Sequence, residues 1–388
     1  MNKLPLDNSY ALLMVFLAPQ KTEARLLQIQ QAAENNQIVW EELLYQANIQ
    51  LCTPLWFSQL RKDGLLELLP SDLVEYISEI YNANEERNIQ MRLALIELLS
   101  ALNAASIDSI LLKGASTFCD NLYGDLGSRV MGDLDVLVPA DKVEQSQLIL
   151  DKLGYVAIPN KGMELEGLPT DVRHHQLLQH YIPNTPVVVE IHFKLSYAMV
   201  GRMLPVETAW KNRVTVCLQT EATSVLSPSD KLILNTGHAL VPHREYIRGY
   251  ISLLQLTEFT NLTVRYGDEI SKREWLAVAA KFGLSVAFAT YAMLSSRYMD
   301  GDFVRSEGSL TFNEKRILFL GRYLEKVGIG ATPLVLRGRN LFYQGLYLLK
   351  LPFWVWINPC YVEGWKNLPA RLRLLFVKLL SFKSWGKV

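Results

Sequence analysis

The chain has little that would tie it to a disulfide scaffold, a zinc ribbon or a membrane span. Four cysteines are scattered over 388 residues, at Cys52, Cys119, Cys217 and Cys360, with no C-x-x-C pair. That pattern argues against a disulfide framework and fits a reducing cytoplasm. There is no excess of either charge: 39 Lys and Arg balance 39 Asp and Glu, so no global signature of nucleic-acid binding is present. No run of about 20 apolar residues exists, so no ordinary transmembrane helix is expected. The apolar stretch Tyr10–Ala18 follows Lys3 like a short signal-peptide core, but Asp7 interrupts its start and no A-x-A-like site follows. It reads as a first packed helix. No G-x-S-x-G nucleophile elbow, internal repeat or low-complexity tract is visible.

What is present is organised in four parts. Residues 1–105 read as helical, with helices over Thr22–Asn35 and Ile38–Arg61, a break at Pro54, and a long helix from Asp72 to Ala105 behind a Ser71-Asp72 cap. Residues 106–200 alternate. A short strand over Ile107–Leu112 is followed by a helix over Ala115–Leu122 and a strand at Asp133. A helix over Asp141–Leu153 ends on Gly154, Tyr155–Ile158 is a strand, and His175–Ile182 with Val187–Leu195 form a hairpin about Pro183–Pro186. After Gly201 the pattern reads as helices to residue 336. One starts at Ser227-Pro-Ser-Asp230 and carries His238, and another spans Tyr246–Leu262. Residues 337–388 form a basic aromatic segment, with nine Lys or Arg against one acid, Glu363. That segment suits a helical cap on the core, a peripheral membrane-surface contact or a partner site.

The chemistry concentrates in Arg129-Val-Met-Gly-Asp133-Leu-Asp135-Val-Leu-Val-Pro139. Residues i and i+2 of a strand share a face, so Asp133 and Asp135 project side by side from an apolar run. Paired, partly buried carboxylates repel, and a hard divalent cation such as Mg²⁺ relieves that repulsion. The alternative is a solvated strand edge. Glu190 is a lone acid in Val187-Val-Val-Glu190-Ile-His192, an expensive place without a cation, and it is the expected third carboxylate. Its alternative is an ordinary ion pair with Arg173 or Lys194. His192 shares its face. Gly114-Ala115-Ser116 follows a strand and opens a helix, a nest for phosphate. Lys113 and Arg129 lie where they could neutralise phosphate charge, although Arg129 could equally clamp the acidic pair. His238 could be a packing residue, a base or a substrate contact. The spacing of His174, His175, His180 and His192 lacks a zinc pattern backed by cysteine.

Leu112-Lys113-Gly114, Arg129-x-x-x-Asp133-x-Asp135 and Val189-Glu190-Ile-His192 together resemble the uncharacterised bacterial nucleotidyltransferase family of the polymerase-β-type superfamily. Trp40-Glu41-Glu42-Leu43-Leu44 and Leu226-Ser-Pro-Ser-Asp230 with His238 extend the likeness over most of residues 10–300. The resemblance implies an α+β fold, a mixed-sheet nucleotidyltransferase palm flanked by N-terminal and C-terminal helical regions. It implies Mg²⁺ or Mn²⁺ on Asp133, Asp135 and Glu190. It also implies an NTP near Gly114 and Ser116. From the residues themselves, Lys113 and Arg129 are the expected further contacts to that nucleotide, ATP first, and His192 and His238 are candidate substrate contacts beside an acceptor hydroxyl. The acceptor would be a small molecule or protein, the charge balance arguing against a long nucleic acid. A palm that binds nucleotide without turnover, as a scaffold, is the rival. Two departures stand out: Asp133 follows Ser116 by seventeen residues, and Gln255 and Glu258 occupy a helix where the family tends to carry Asp.

Overall fold

A computed structural model describes residues 3–158, 176–196, 198–241, 249–304 and 308–328. The expectations for His174, His175 and the 337–388 segment lie outside these residues.

Asn8 opens the first helix, α1 (Ser9–Leu17), by accepting the Ala11 amide at 3.0 Å. Every residue of α1 is buried, which its unbroken apolar sequence requires. Thr22 caps α2 (Glu23–Glu34), and α3 (Trp40–Ile49) and α4 (Thr53–Lys62) follow. Pro54 sits in the first turn of α4, where its missing N–H costs nothing. The long helix α5 (Ser71–Ala104) begins one residue earlier than expected: Pro70 is the flanking residue and Ser71 is already helical.

The chain then builds a seven-stranded mixed sheet. Its elements are β1 (Ile110–Leu111), α6 (Lys113–Asp120), β2 (Leu134–Leu137), α7 (Val143–Lys152), β3 (Val156–Ala157), β4 (His180–Tyr181) and β5 (Val188–His192). Two short helices, α8 (Ala198–Met203) and α9 (Val206–Asn212), lead to β6 (Val214–Leu218) and β7 (Glu221–Val225). The strand order is β3-β4-β5-β2-β1-β7-β6. β2 runs parallel to β5 and β1 runs parallel to β7, while the remaining neighbours are antiparallel.

The β6–β7 hairpin corrects the expectation of helices alone beyond Gly201. Its two strands complete the same sheet, so the sheet runs past residue 200. Its turn carries no Asn-Gly or Gly signal; Gln219 takes the left-handed conformation instead, at φ +56°.

Helices return with α10 (Pro228–Leu240), capped by Ser227, which accepts the Asp230 amide. Then come α11 (Leu253–Tyr266), α12 (Lys272–Lys281), α13 (Ser285–Tyr298) and α14 (Phe312–Gly328). Of the helix expected over Tyr246–Leu262, the described part begins at Leu253; Tyr250–Ser252 before it are irregular, and Ile251 gives its carbonyl to the Tyr10 hydroxyl at 2.5 Å.

Two apolar cores result. One, beneath the sheet, joins α5, β1, β2 and β5 through Leu95, Leu98, Leu102, Leu111, Val136 and Ile191. The other joins α1, α3 and α4 to α10, α11 and α13. The helical regions on either side of the sheet in sequence therefore share one core. No helix of the described residues is long and apolar enough to cross a membrane.

Candidate active site

The parallel pairing of β2 with β5 sets Asp135 directly opposite Glu190 and Leu137 opposite His192. With a period of two, Asp135, Glu190 and His192 share one face, and Asp133, just before β2, continues it. One ligand atom from each of Asp135, Glu190 and His192 lies within 4.8 Å of the others, all three residues being buried. His192 Nε2 stands 2.8 Å from Asp135 Oδ1 and 3.4 Å from Glu190 Oε2. Gln179, just before β4, donates to Glu190 Oε1 at 2.5 Å. Its role was not read from sequence, because it depends on β4 lying beside β5 in the sheet.

Lys113 closes the cluster. The chain turns from β1 into α6 with Lys113 at φ +42°, and its ammonium lies 2.7 Å from Asp135 Oδ1. Burial opposes that charge, but Asp135, Asp133 and Glu190 together raise the Lys113 pKa. Asp135 is likewise buried, yet Lys113 and His192 hold it well below the usual carboxylate range. Asp133 behaves oppositely: burial, then the charges of Asp135 and Glu190, push it up to about 6. Glu190 loses solvation too, but the His192 and Gln179 hydrogen bonds leave its pKa lowered. For His192, burial is outweighed by its bonds to Asp135 and Glu190, which raise it.

Asp135, Glu190 and His192 could hold a metal ion: two hard carboxylate donors converge with one imidazole, and Asp133 stands outside this group of three.

Asp133 and Asp135 open onto a cleft of about 690 Å³, a size usual for small-molecule sites. Lys113, Gly114, Arg87, Arg129, His238 and Gln255 also line it. Gly114 has a packing reason besides phosphate approach: a Cβ there would collide with the Arg129 guanidinium and lie 2.8 Å from the Met131 sulfur. The Ser116 side chain is placed differently from the expectation of a phosphate nest. It donates to the Lys113 carbonyl at 2.8 Å and lines a smaller inner chamber of about 30 Å³, not the cleft. His238 and Gln255 border both spaces.

Arg129 is held by Glu258 of α11, through Nε at 2.9 Å and Nη2 at 2.7 Å. Although burial disfavours its charge, Glu258 raises the Arg129 pKa further. Of the two readings, a phosphate contact or a clamp on the acidic pair, the structure shows neither directly: the partner is an acid from a distant helix. Glu258 is a lone acid in the buried run Leu256–Thr263, the same kind of signal that singled out Glu190. His180, Nδ1 at 2.7 Å from the Leu178 carbonyl oxygen, takes no part in the cluster.

The sequence profile of a family described as uncharacterised nucleotidyltransferase matches residues 36–300, more than half of the chain. No curated protein and no solved structure matches significantly. The matched span contains the whole mixed sheet, the acidic cluster and the helices bordering the cleft, and the chain belongs to this uncharacterised nucleotidyltransferase family.

Proposed function

We propose that the protein moves a nucleotidyl group from an NTP, ATP first, to an acceptor hydroxyl with release of pyrophosphate. The observation that carries this reading is the buried Asp135–Glu190–His192 cluster, whose Asp135 lines the 690 Å³ cleft together with Asp133. Asp133, Asp135 and Glu190 would hold divalent cations, Mg²⁺ or Mn²⁺. Such ions, when bound, neutralise phosphate charge and lower the pKa of a coordinated hydroxyl.

The chain's own groups supply the rest. The acceptor oxygen attacks the α-phosphorus in line as the bond to pyrophosphate breaks. Glu190 would take the hydroxyl proton, its carboxylate held by the hydrogen bond that Gln179 donates to Oε1. His192 Nε2 bridges Asp135 and Glu190 and keeps their oxygens aligned. Lys113, at the rim of the acidic cluster, is within reach of both Asp135 and an incoming triphosphate. Ser116 supports this role indirectly, by pinning the Lys113 carbonyl. His238, which lines both the cleft and the inner chamber, would serve as a base or a substrate contact.

The test is turnover of α-labelled NTPs with Mg²⁺ or Mn²⁺ against a panel of hydroxyl acceptors, using wild type, Asp135→Asn and Glu190→Gln. Metal-dependent label transfer in wild type and its loss by at least 10³-fold in both variants is the expected result. A nucleotide-induced thermal shift without any turnover would instead identify a nucleotide-binding scaffold.

A further inference from the structure

The cleft is lined by three cationic side chains, and two of them already have acids. Lys113 is paired with Asp135 and Arg129 with Glu258. The third is Arg87, on the face of α5 that lines the cleft with Ala83 and Asn84. Arg87 is half-buried, and its Nη1 donates to the Met131 carbonyl, beside Asp133. Among the described residues, no carboxylate lies within ion-pair distance of it. Burial lowers its pKa, and the field of Asp133 offsets this only in part. A guanidinium offers five N–H donors in a planar fork, and Met131 engages one nitrogen of it.

A cation drawn into a cleft wall with no paired anion is a site awaiting one. Arg129 is poorly suited to supply it. Its side chain and that of Glu258 are only 10 % and 9 % exposed, so turning Arg129 toward a ligand would strand a buried carboxylate. Arg87 carries no such penalty.

We propose that Arg87 grips the terminal phosphates of the bound nucleoside triphosphate, so that the polyphosphate site is completed from the helical region and not from the sheet domain alone. The proposal rests on the nucleotidyl-transfer reading and identifies its polyphosphate contact. Arg87 would reach the β- and γ-phosphates with its unspent donors, while Lys113 and the Gly114 backbone approach from α6. Its bond to Met131 fixes the guanidinium and couples the grip to the loop that ends in Asp133. Arg129 then serves as a positioning residue, locking that loop to α11 through Glu258.

The experiment measures binding of ATP, AMP and inorganic tripolyphosphate by calorimetry, with Mg²⁺ present and no acceptor added. It uses the full chain as wild type, Arg87→Gln and Arg87→Lys, with a thermal melt of each. Glutamine retains an N–H donor for the Met131 carbonyl but removes the charge. Arg87→Gln should weaken ATP and tripolyphosphate by roughly 10- to 100-fold and AMP by less than about 3-fold, as expected for a lost charge-assisted contact to the outer phosphates. The salt dependence of ATP binding should flatten, and Arg87→Lys should recover part of the affinity. Equal loss for ATP and AMP, with a lowered melting temperature, would make Arg87 a support of the loop and overturn the proposal. Unchanged ATP affinity in Arg87→Gln would overturn it while leaving nucleotidyl transfer intact. Failure of wild type to bind either ATP or tripolyphosphate would remove both readings.

Discussion

Asp133 and Asp135 are two residues apart, share a face and titrate in opposite directions. Asp135 sits under Lys113 and His192; Asp133 has no such cation within ion-pair distance among the described residues and feels Asp135 and Glu190. A carboxyl raised to about 6 from an unfolded value near 4 contributes stability that is fully present below about pH 4 and lost as pH rises through 6. Metal-free protein should therefore carry a penalty of about 1–2 kcal/mol at neutral pH, after allowance for partial exposure of the group. Asp133→Asn should remove it. In EDTA at pH 7.5 the variant should melt a few degrees above wild type, and at pH 4.5 the two should nearly coincide, while NTP turnover is abolished. A melting temperature lowered at both pH values would contradict the repulsion argument. The pairing of acids was legible in the sequence because a strand period of two demands it. The asymmetry was not, since it depends on Lys113 reaching Asp135 across the β1–α6 turn.

At the scale of elements, α5 does more than bury an apolar stripe. Asn84 Nδ2 donates to the carbonyls of Gly127 and Arg129 at 2.6 and 3.1 Å, and Asn88 Nδ2 to those of Leu126 and Arg129 at 2.6 and 2.8 Å. With Arg87 they form a row at spacings of three and four residues, one helical face holding the loop that leads to Asp133. Asparagine inside a long helix is costly by propensity, but α5 carries four, Asn82, Asn84, Asn88 and Asn103, so propensity alone does not single out Asn84 and Asn88. What they hold could not be read, because the loop lies about forty residues away. Asn88→Ala should leave the Leu126 carbonyl without its side-chain donor and cost about 1–3 kcal/mol. It should also raise KM for the NTP, since the loop carries Arg129 and Asp133. Asn88→Asp should not rescue either effect, because an ionised carboxylate cannot donate. Chemical denaturation beside steady-state kinetics checks both, with exposed Glu86→Ala as a control expected within about 0.5 kcal/mol of wild type. The same scale explains the β6–β7 hairpin: an exposed edge strand and a turn built on Gln219 removed both usual cues.

For the whole molecule, the sequence divides helices before the sheet from helices after it, and packing reunites them. α1 contacts α3 and α4 on one side and α11, α13 and α14 on the other. The Tyr10 hydroxyl donates to the Ile251 carbonyl, Asn8 Nδ2 to the Leu318 carbonyl, and Gln46 Nε2 to the Gly321 carbonyl. An all-apolar α1 could be recognised as buried from its residues alone, but its partners, some 240 to 310 positions distant, could not. If α1 is the shared core of both helical regions, a cavity in it must loosen both. Leu13 has no exposed surface, and Leu13→Ala should cost about 2–5 kcal/mol through lost burial and the cavity left behind. Hydrogen exchange should then quicken in α3 and α4 and equally in α11 and α13, within a single cooperative melt. Independent helical domains would respond differently, with faster exchange over residues 40–62 and unchanged protection over residues 253–298. That outcome would break the shared core into two. Because α11 carries both Glu258 and Gln255, loosening it should also relax the hold on Arg129 and the far wall of the cleft, so NTP affinity should fall in Leu13→Ala without any change to a residue that lines the site.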